Sequence, residues 1–159
     1  MSRHVPASLE IDGSRFSFGI ACARFNPVLV DALLDRVRAG LVAAGVKPAR
    51  IEAVRVPGSH ELPVAAHWLA GRRPDCIVAL GVLLQGATPH AEVVAQGVTL
   101  ALQRVAVDHG IAVINGVVVA DTWKQAADRC TGRIDRGSEF ARAALEMAAL
   151  RATLKGGRS

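Results

Sequence analysis

A parallel β-sheet covered by helices on both faces is the fold class this sequence predicts. Three observations predict it. Strand and helix patterns alternate from Arg15 to Leu154. The strand candidates at 76–84 and 111–119 are apolar almost throughout, as strands buried on both faces are. The segments that follow strand candidates carry both turn residues and chemically able side chains, as the ligand-binding edge of such a sheet does.

Taken in order, Arg15 to Ala23 places Phe16, Phe18, Ile20 and Cys22 at every second position, a strand pattern. Asn26-Pro27 caps a helix that repeats Leu29, Leu33, Val37 and Leu41 and closes at Gly45. Ile51, Ala53 and Val56 mark a short strand, and Pro57-Gly58-Ser59 turns into a helix reaching Ala70. After the strand at 76–84, Thr88 as N-cap and Pro89 at the first helical position open a helix that runs to Asp108 and stops at Gly110. Ile111 to Val119 is the fourth strand. Asp121 caps a short helix to Cys130, and a last helix follows Gly137 to Leu154. Residues 1–14 read as an N-terminal arm, 15–154 as a single α/β domain and 155–159 as a flexible tail.

The 159 residues suit one domain with a real core. Half of them are hydrophobic, yet no run is long enough to span a membrane, and the first residues lack the apolar core of a signal peptide, so a cytoplasmic, membrane-free protein is expected. The three cysteines, Cys22, Cys76 and Cys130, are widely spaced and read as buried reduced thiols. The net charge is +5, but the bases are scattered and there is no tyrosine or aromatic interleaving. This argues against nucleic acid and for anionic small molecules as partners.

Four strand-end segments fall on one edge: Arg24-Phe25-Asn26, Pro57 to Glu61, Gln85 to His90 and Ala120-Asp121. The turn before the helix at 89 delivers free backbone N–H groups and a positive helix end, which suits a phosphate at Ala87 and Thr88. His90 in the first helical turn can move protons in either direction near neutral pH. Glu61 reads either as a carboxylate accepting from substrate hydroxyls or as one satisfying a helix dipole. Phe25 reads as core or as a stacking surface on the ligand edge. Arg129 and Arg136 read as solvated charges or as planar forks for a phosphate. No Walker A, Cys-x-x-Cys, His-Glu-x-x-His or Gly-x-Ser-x-Gly sequence is present. The only lysines, Lys47, Lys124 and Lys155, do not follow strands, which argues against a lysine Schiff base. Neither a metal nor a cofactor is expected.

Four motifs in order and spacing, Ala23-Arg24-Phe25-Asn26, Val56 to Pro63, Leu80 to His90 and Glu146-Met147-Ala148, resemble those of the lumazine synthase family over about residues 9 to 152. The resemblance implies a flavodoxin-like three-layer sandwich, its four-stranded parallel sheet in the order 2-1-3-4, with an N-terminal strand around Leu9 to Ile11 added to a neighbouring subunit. It implies condensation of 5-amino-6-ribitylaminouracil with 3,4-dihydroxy-2-butanone 4-phosphate to 6,7-dimethyl-8-ribityllumazine, the penultimate step of riboflavin biosynthesis, without a cofactor. By that resemblance His90 shuttles protons and Phe25 stacks on the pyrimidine. Ser59, His60 and Glu61 hold the ribityl chain, Val82, Leu83 and Leu84 line the pocket, and Ala87, Thr88, Arg129 and Arg136 bind the phosphate.

The chain departs from the family pattern at three places. His60 stands where an aromatic residue is common. Asn115 stands where a neighbouring subunit usually contributes Phe. The turn from Thr131 to Gly137 is about one residue short, so Arg136 matches the family's lysine only across a gap. The resemblance also implies homopentamers with active sites between subunits. The short turn favours further assembly into an icosahedral capsid, and a functional link to riboflavin synthase follows. The competing reading is a catalytically weakened shell protein of the same fold that holds a flavin or ribityl-pyrimidine.

Overall fold

The computed structural model describes residues 7–156. Four strands, β1 (Phe18–Ala23), β2 (Ile51–Val56), β3 (Cys76–Leu84) and β4 (Ala112–Ala120), form one sheet in the order β2-β1-β3-β4. Every pairing is parallel. The helices are α1 (Pro27–Ala43), α2 (Leu62–Ala70), α3 (His90–His109), α4 (Trp123–Cys130) and α5 (Arg136–Gly156). This is the α/β sandwich expected from the sequence pattern and the strand order implied by the family resemblance. The first strand, β1, lies between β2 and β3, so strand order reverses beside it. Ligands of such sheets bind beyond the carboxyl ends of the strands at this point.

The sheet separates two cores. Phe18, Ile20, Cys22, Val78 and Leu80 face α1, α4 and α5 across Leu29, Leu33, Val37, Ala126, Phe140 and Ala144. Ala21, Ile77 and Ala79 face α2 and α3 across Leu62, Ala66, Leu69, Val98 and Leu102. Covering on both faces explains why β1 is buried at all six positions although its sequence alternates. The strand starts at Phe18 rather than Arg15 because Ser17 is held by a side chain. Its N–H donates to Asp75 Oδ2 at 2.8 Å, and Asp75 N–H donates back to Ser17 O at 2.8 Å. All three cysteines are free and buried. Burial pushes the thiols up, to about 11 at Cys22 and Cys130 and about 12 at Cys76. They stay protonated and inert near neutral pH.

The helix starts differ from the sequence reading in instructive ways. Asn26 precedes α1 in the left-handed region (φ 55°, ψ 55°) and makes no side-chain cap bond. Pro89, not Thr88, stands at the cap position of α3, again without a side-chain cap bond. Thr122, not Asp121, caps α4 by accepting from Gln125 N–H at 3.2 Å, while Gln125 Oε1 accepts from Asp121 N–H at 3.0 Å. Thr122-Trp123-Lys124-Gln125 is a capping-box sequence that reports this start. Helix α5 begins at Arg136 and extends through Gly156, and the rest of the 155–159 segment lies outside the described residues. In the N-terminal arm, residues 7–13 form no strand within the single chain, and residues 1–6 lie outside the described residues.

Asp135 starts α5. Its Oδ1 accepts from Ser138 N–H at 3.0 Å and its Oδ2 from Ser138 Oγ–H at 2.6 Å. Arg36 of α1 pairs with it at 3.2 Å and donates to the carbonyls of Thr131 and Gly132. Burial alone would raise the Asp135 carboxyl, but the Ser138 hydrogen bonds and the Arg36 charge outweigh it, so it titrates below its ordinary 3.8. A lowered folded-state value contributes stability that is complete above 3.8 and lost as pH falls through the lowered value. Asp135→Ala is therefore expected to be less stable than wild type near neutral pH. The gap should narrow in acid, as read from urea midpoints at about pH 7 and about pH 3.

Candidate active site

Beyond the carboxyl ends of β1, β2 and β3 lies a cavity of about 380 Å³ lined by Phe25, Asn26, Gly58, Ser59, His60, Glu61, Val82, Leu83, Leu84, His90 and Val94. Three connections build it. After β1 the chain is anchored by Arg24 N–H to Val56 O at 2.9 Å and delivers Phe25, a residue that is 71% exposed. After β2 a 3-10 turn, Ser59–Glu61, precedes α2. Gly58 N–H donates to Glu61 Oε2 at 2.9 Å, and Glu61 N–H donates to Gly58 O at 3.3 Å. The Glu61 carboxylate thus both orders its own turn and lines the cavity. His60 Nδ1 lies 3.6 Å from Glu61 Oε1, beyond hydrogen-bond reach. Ser59 is the one buried polar side chain among the described residues. It fits because residue 81 is glycine: a Cβ there would overlap Ser59 Oγ.

The strand β3 supplies the floor. It continues to Leu84, paired with β4 as far as Leu84↔Ala120, and Gln85 N–H extends the ladder to Ala120 O at 2.9 Å. An exposed loop, 85–89, then leads into α3, which places His90 at its first position and Val94 one turn on, on the same face. Val94 is a lining residue that sequence reasoning missed, whereas Asn26 and Gly58 fall in segments it placed on this edge without giving them a role. The i to i+4 spacing from His90 is the signal that would have found Val94.

Ala87 and Thr88 lie in that exposed loop, next to the cavity in sequence but not lining it. Arg129, Arg136 and Asn115 are not brought to the cavity within one chain. Arg129 Nη1 donates to Gln125 O at 2.8 Å, and Arg136 pairs with Glu139 and lies over the Phe140 ring. Both belong to the α4–α5 layer. Asn115 Nδ2 donates to Thr99 Oγ1 at 3.0 Å on α3. It pairs with Ala79, whereas the cavity floor ends at Leu84. Three residues of strand, about 10 Å, separate it from the near end of that floor at Val82. Among the described residues, the two histidines outside the site satisfy each other: His109 Nε2 and His67 Nδ1 are 2.9 Å apart at the far ends of α3 and α2. Among the described residues no group of three or more His, Cys, Asp or Glu could hold a metal ion. A larger apolar groove of about 710 Å³ between α3 and α5 is lined by Val107, Ile111, Met147, Leu150 and Leu154 and carries no acid–base pair.

An aromatic face, a carboxylate, a buried hydroxyl and a histidine line one cavity at the switch point of a parallel sheet, where α/β enzymes bind small ligands. A model of the 6,7-dimethyl-8-ribityllumazine synthase family matches residues 15–152. The chain is 40% identical over 149 residues to the 6,7-dimethyl-8-ribityllumazine synthase of Aquifex aeolicus, covering 92% of this chain and 96% of that one. It is 38% identical over 152 residues to the enzyme of that name from Desulfotalea psychrophila, covering 94% and 97%. Identity to the Saccharopolyspora erythraea enzyme of that name is 44% over 141 residues, covering 87% and 84%. The chain belongs to the 6,7-dimethyl-8-ribityllumazine synthase family.

Proposed function

We propose that this chain catalyses the condensation of 5-amino-6-ribitylaminouracil with 3,4-dihydroxy-2-butanone 4-phosphate to 6,7-dimethyl-8-ribityllumazine, releasing phosphate and water, in the cytoplasm. The observation that carries the reading is the convergence of Phe25, Ser59, Glu61, Val82 to Leu84 and His90 on one cavity in a chain of this family. The pyrimidine lies against the Phe25 ring with its edge along the Val82–Leu84 backbone. Ser59, His60 and Glu61 hold the ribityl hydroxyls. The free 5-amino group attacks the ketone carbonyl, and loss of water gives an imine, so the enzyme supplies no amine of its own. Phosphate then leaves, and the ribityl-bearing nitrogen closes the ring with loss of a second water. His90 takes and returns the protons of these steps. The loop at Ala87 and Thr88 holds the phosphate, and most of the acceleration comes from holding two substrates together.

The charged partner of that phosphate comes from a second copy of the chain. Arg129 and Asn115 do not line the cavity of their own chain and reach the cavity of a neighbour, with Arg136 as the less direct candidate. Exposed apolar residues on several faces, among them Leu9, Trp68, Val107, Leu150 and Leu154, support such burial. The assembly is a homopentamer completed by the N-terminal arm at Leu9 to Ile11, with a capsid of pentamers as its larger form and riboflavin synthase as the consumer of its product.

The test is incubation of the purified protein with both substrates while lumazine fluorescence is followed. His90→Ala is expected to lower kcat about tenfold to a hundredfold, at or below the bottom of the acid–base range because the residue is exposed. Circular dichroism and sedimentation should not change. Tight binding of a ribityl-pyrimidine by wild type without turnover would replace the enzyme with a binding shell.

A further inference from the structure

We propose that Asn26 is a positioning residue that sets the slot between the Phe25 ring and the Val82–Leu84 strand end. The pairing of β1 with β3 stops at Cys22↔Leu80, whereas β3 runs on to Leu84. On its β1 side the Val82 carbonyl has therefore outrun its partner strand. Asn26 Nδ2 donates to that carbonyl at 3.0 Å, so a side-chain amide replaces the missing strand N–H. The backbone of Asn26 is fixed at the same time: its own carbonyl accepts from Leu29 N–H at 3.0 Å and Val30 N–H at 3.1 Å, starting α1. Its φ of 55° is a conformation that asparagine tolerates better than most side chains.

The consequence falls on Phe25. Its ring is largely exposed and rests against Gly58, where an added Cβ would stand 3.5 Å from the ring. With so little packing around it, the ring is aimed mainly by its backbone. That backbone is tied to the pocket floor through the next residue. Asn26 touches the reacting atoms in no step. It holds the wall and the floor of the slot at one separation, which matters most to a ligand that must lie flat between them.

Two variants separate the tether from the backbone. Asn26→Gly keeps the left-handed conformation and removes the amide. Asn26→Asp keeps size and conformation but sets a carboxylate against the Val82 carbonyl. Both are expected to raise KM for the ribitylaminopyrimidine about tenfold, the scale of one lost hydrogen bond. kcat should stay within about threefold and KM for the butanone phosphate should not move, since the tether orders one half of the site. Hydrogen–deuterium exchange should speed up in the segments at 23–28 and 82–85 and nowhere else. Unchanged KM and exchange in both variants would overturn the proposal. So would a fall in melting temperature with exchange spread through β1 and α1, which marks a merely structural residue. The kinetic arm rests on the lumazine-forming reading. If wild type makes no lumazine, that reading fails alone, and the exchange arm still decides the tether.

Discussion

Glu61→Ala is expected to lower kcat/KM about a hundredfold, the scale of a lost hydrogen bond to a charged group. Most of the effect should appear in KM for the ribitylaminopyrimidine. Under the proposed function the carboxylate has two tasks that its two oxygens divide. Oε2 accepts the Gly58 N–H at 2.9 Å and closes the 3-10 turn that begins α2. Oε1 has no hydrogen-bond partner within reach in the turn, His60 being 3.6 Å away, and is the acceptor available to a ribityl hydroxyl. Glu61→Gln separates these tasks. Its amide oxygen can still accept from Gly58, so stability should hold, but the group facing the ligand becomes a neutral donor and kcat/KM should fall about tenfold. Loss of the turn in Glu61→Ala should add about 1 kcal/mol of destabilisation, as cap losses do. Steady-state kinetics with each substrate varied, beside urea melts, would check both. Equal losses in the two KM values would mean that Glu61 organises the whole edge rather than the ribityl end.

The sequence made the strands legible because both faces of this sheet are covered. The run from Cys76 to Leu84 is apolar end to end, and β3 has those limits. Helix starts were less legible, for a chemical reason. Asn and Thr side chains have several uses at a chain reversal, and the pattern does not say which neighbour is in reach. Asn26 reads as a cap, but the amide finds Val82 O instead, because the pairing of β1 with β3 stops two residues short of that carbonyl. Thr88 reads as a cap, and the helix starts one residue later at His90. The site divides in the same way. Val82 to Leu84 end a strand, and Phe25, Ser59, Glu61 and His90 follow strand ends, so a parallel sheet alone brings them to one edge. Arg129 and Arg136 are placed by packing between layers, and Asn115 lies five residues before the end of its strand, which motif order does not encode.

The largest effect on stability is expected at Gly116, far from the chemistry. Glycine in mid-strand weakens a sheet unless another group needs the space. Here a Cβ would stand 2.6 Å from Leu80 Cδ2, 2.8 Å from the Ala79 carbonyl oxygen and 3.1 Å from Phe140 Cδ2. Leu80 and Phe140 belong to the core under α5, and the Ala79 oxygen is backbone of the β3–β4 ladder, so none has an easy retreat. Gly116→Ala should cost about 3 kcal/mol, the upper part of the overpacking range, and lower the melting temperature by about 10 °C. The same ladder carries the Val82–Leu84 floor, so activity should fall at temperatures where the variant is still mostly folded. Gly97 in α3 is the control, since a Cβ there meets nothing within 4 Å. With helix propensity as the only remaining term, Gly97→Ala should stabilise by about 0.5–1 kcal/mol. A gain at 97 and a loss at 116 in urea midpoints, with unchanged slopes, would confirm that packing decides the sign. A loss at 97 would mean that a group outside the described residues packs against that face of α3, because none of the described residues occupies it.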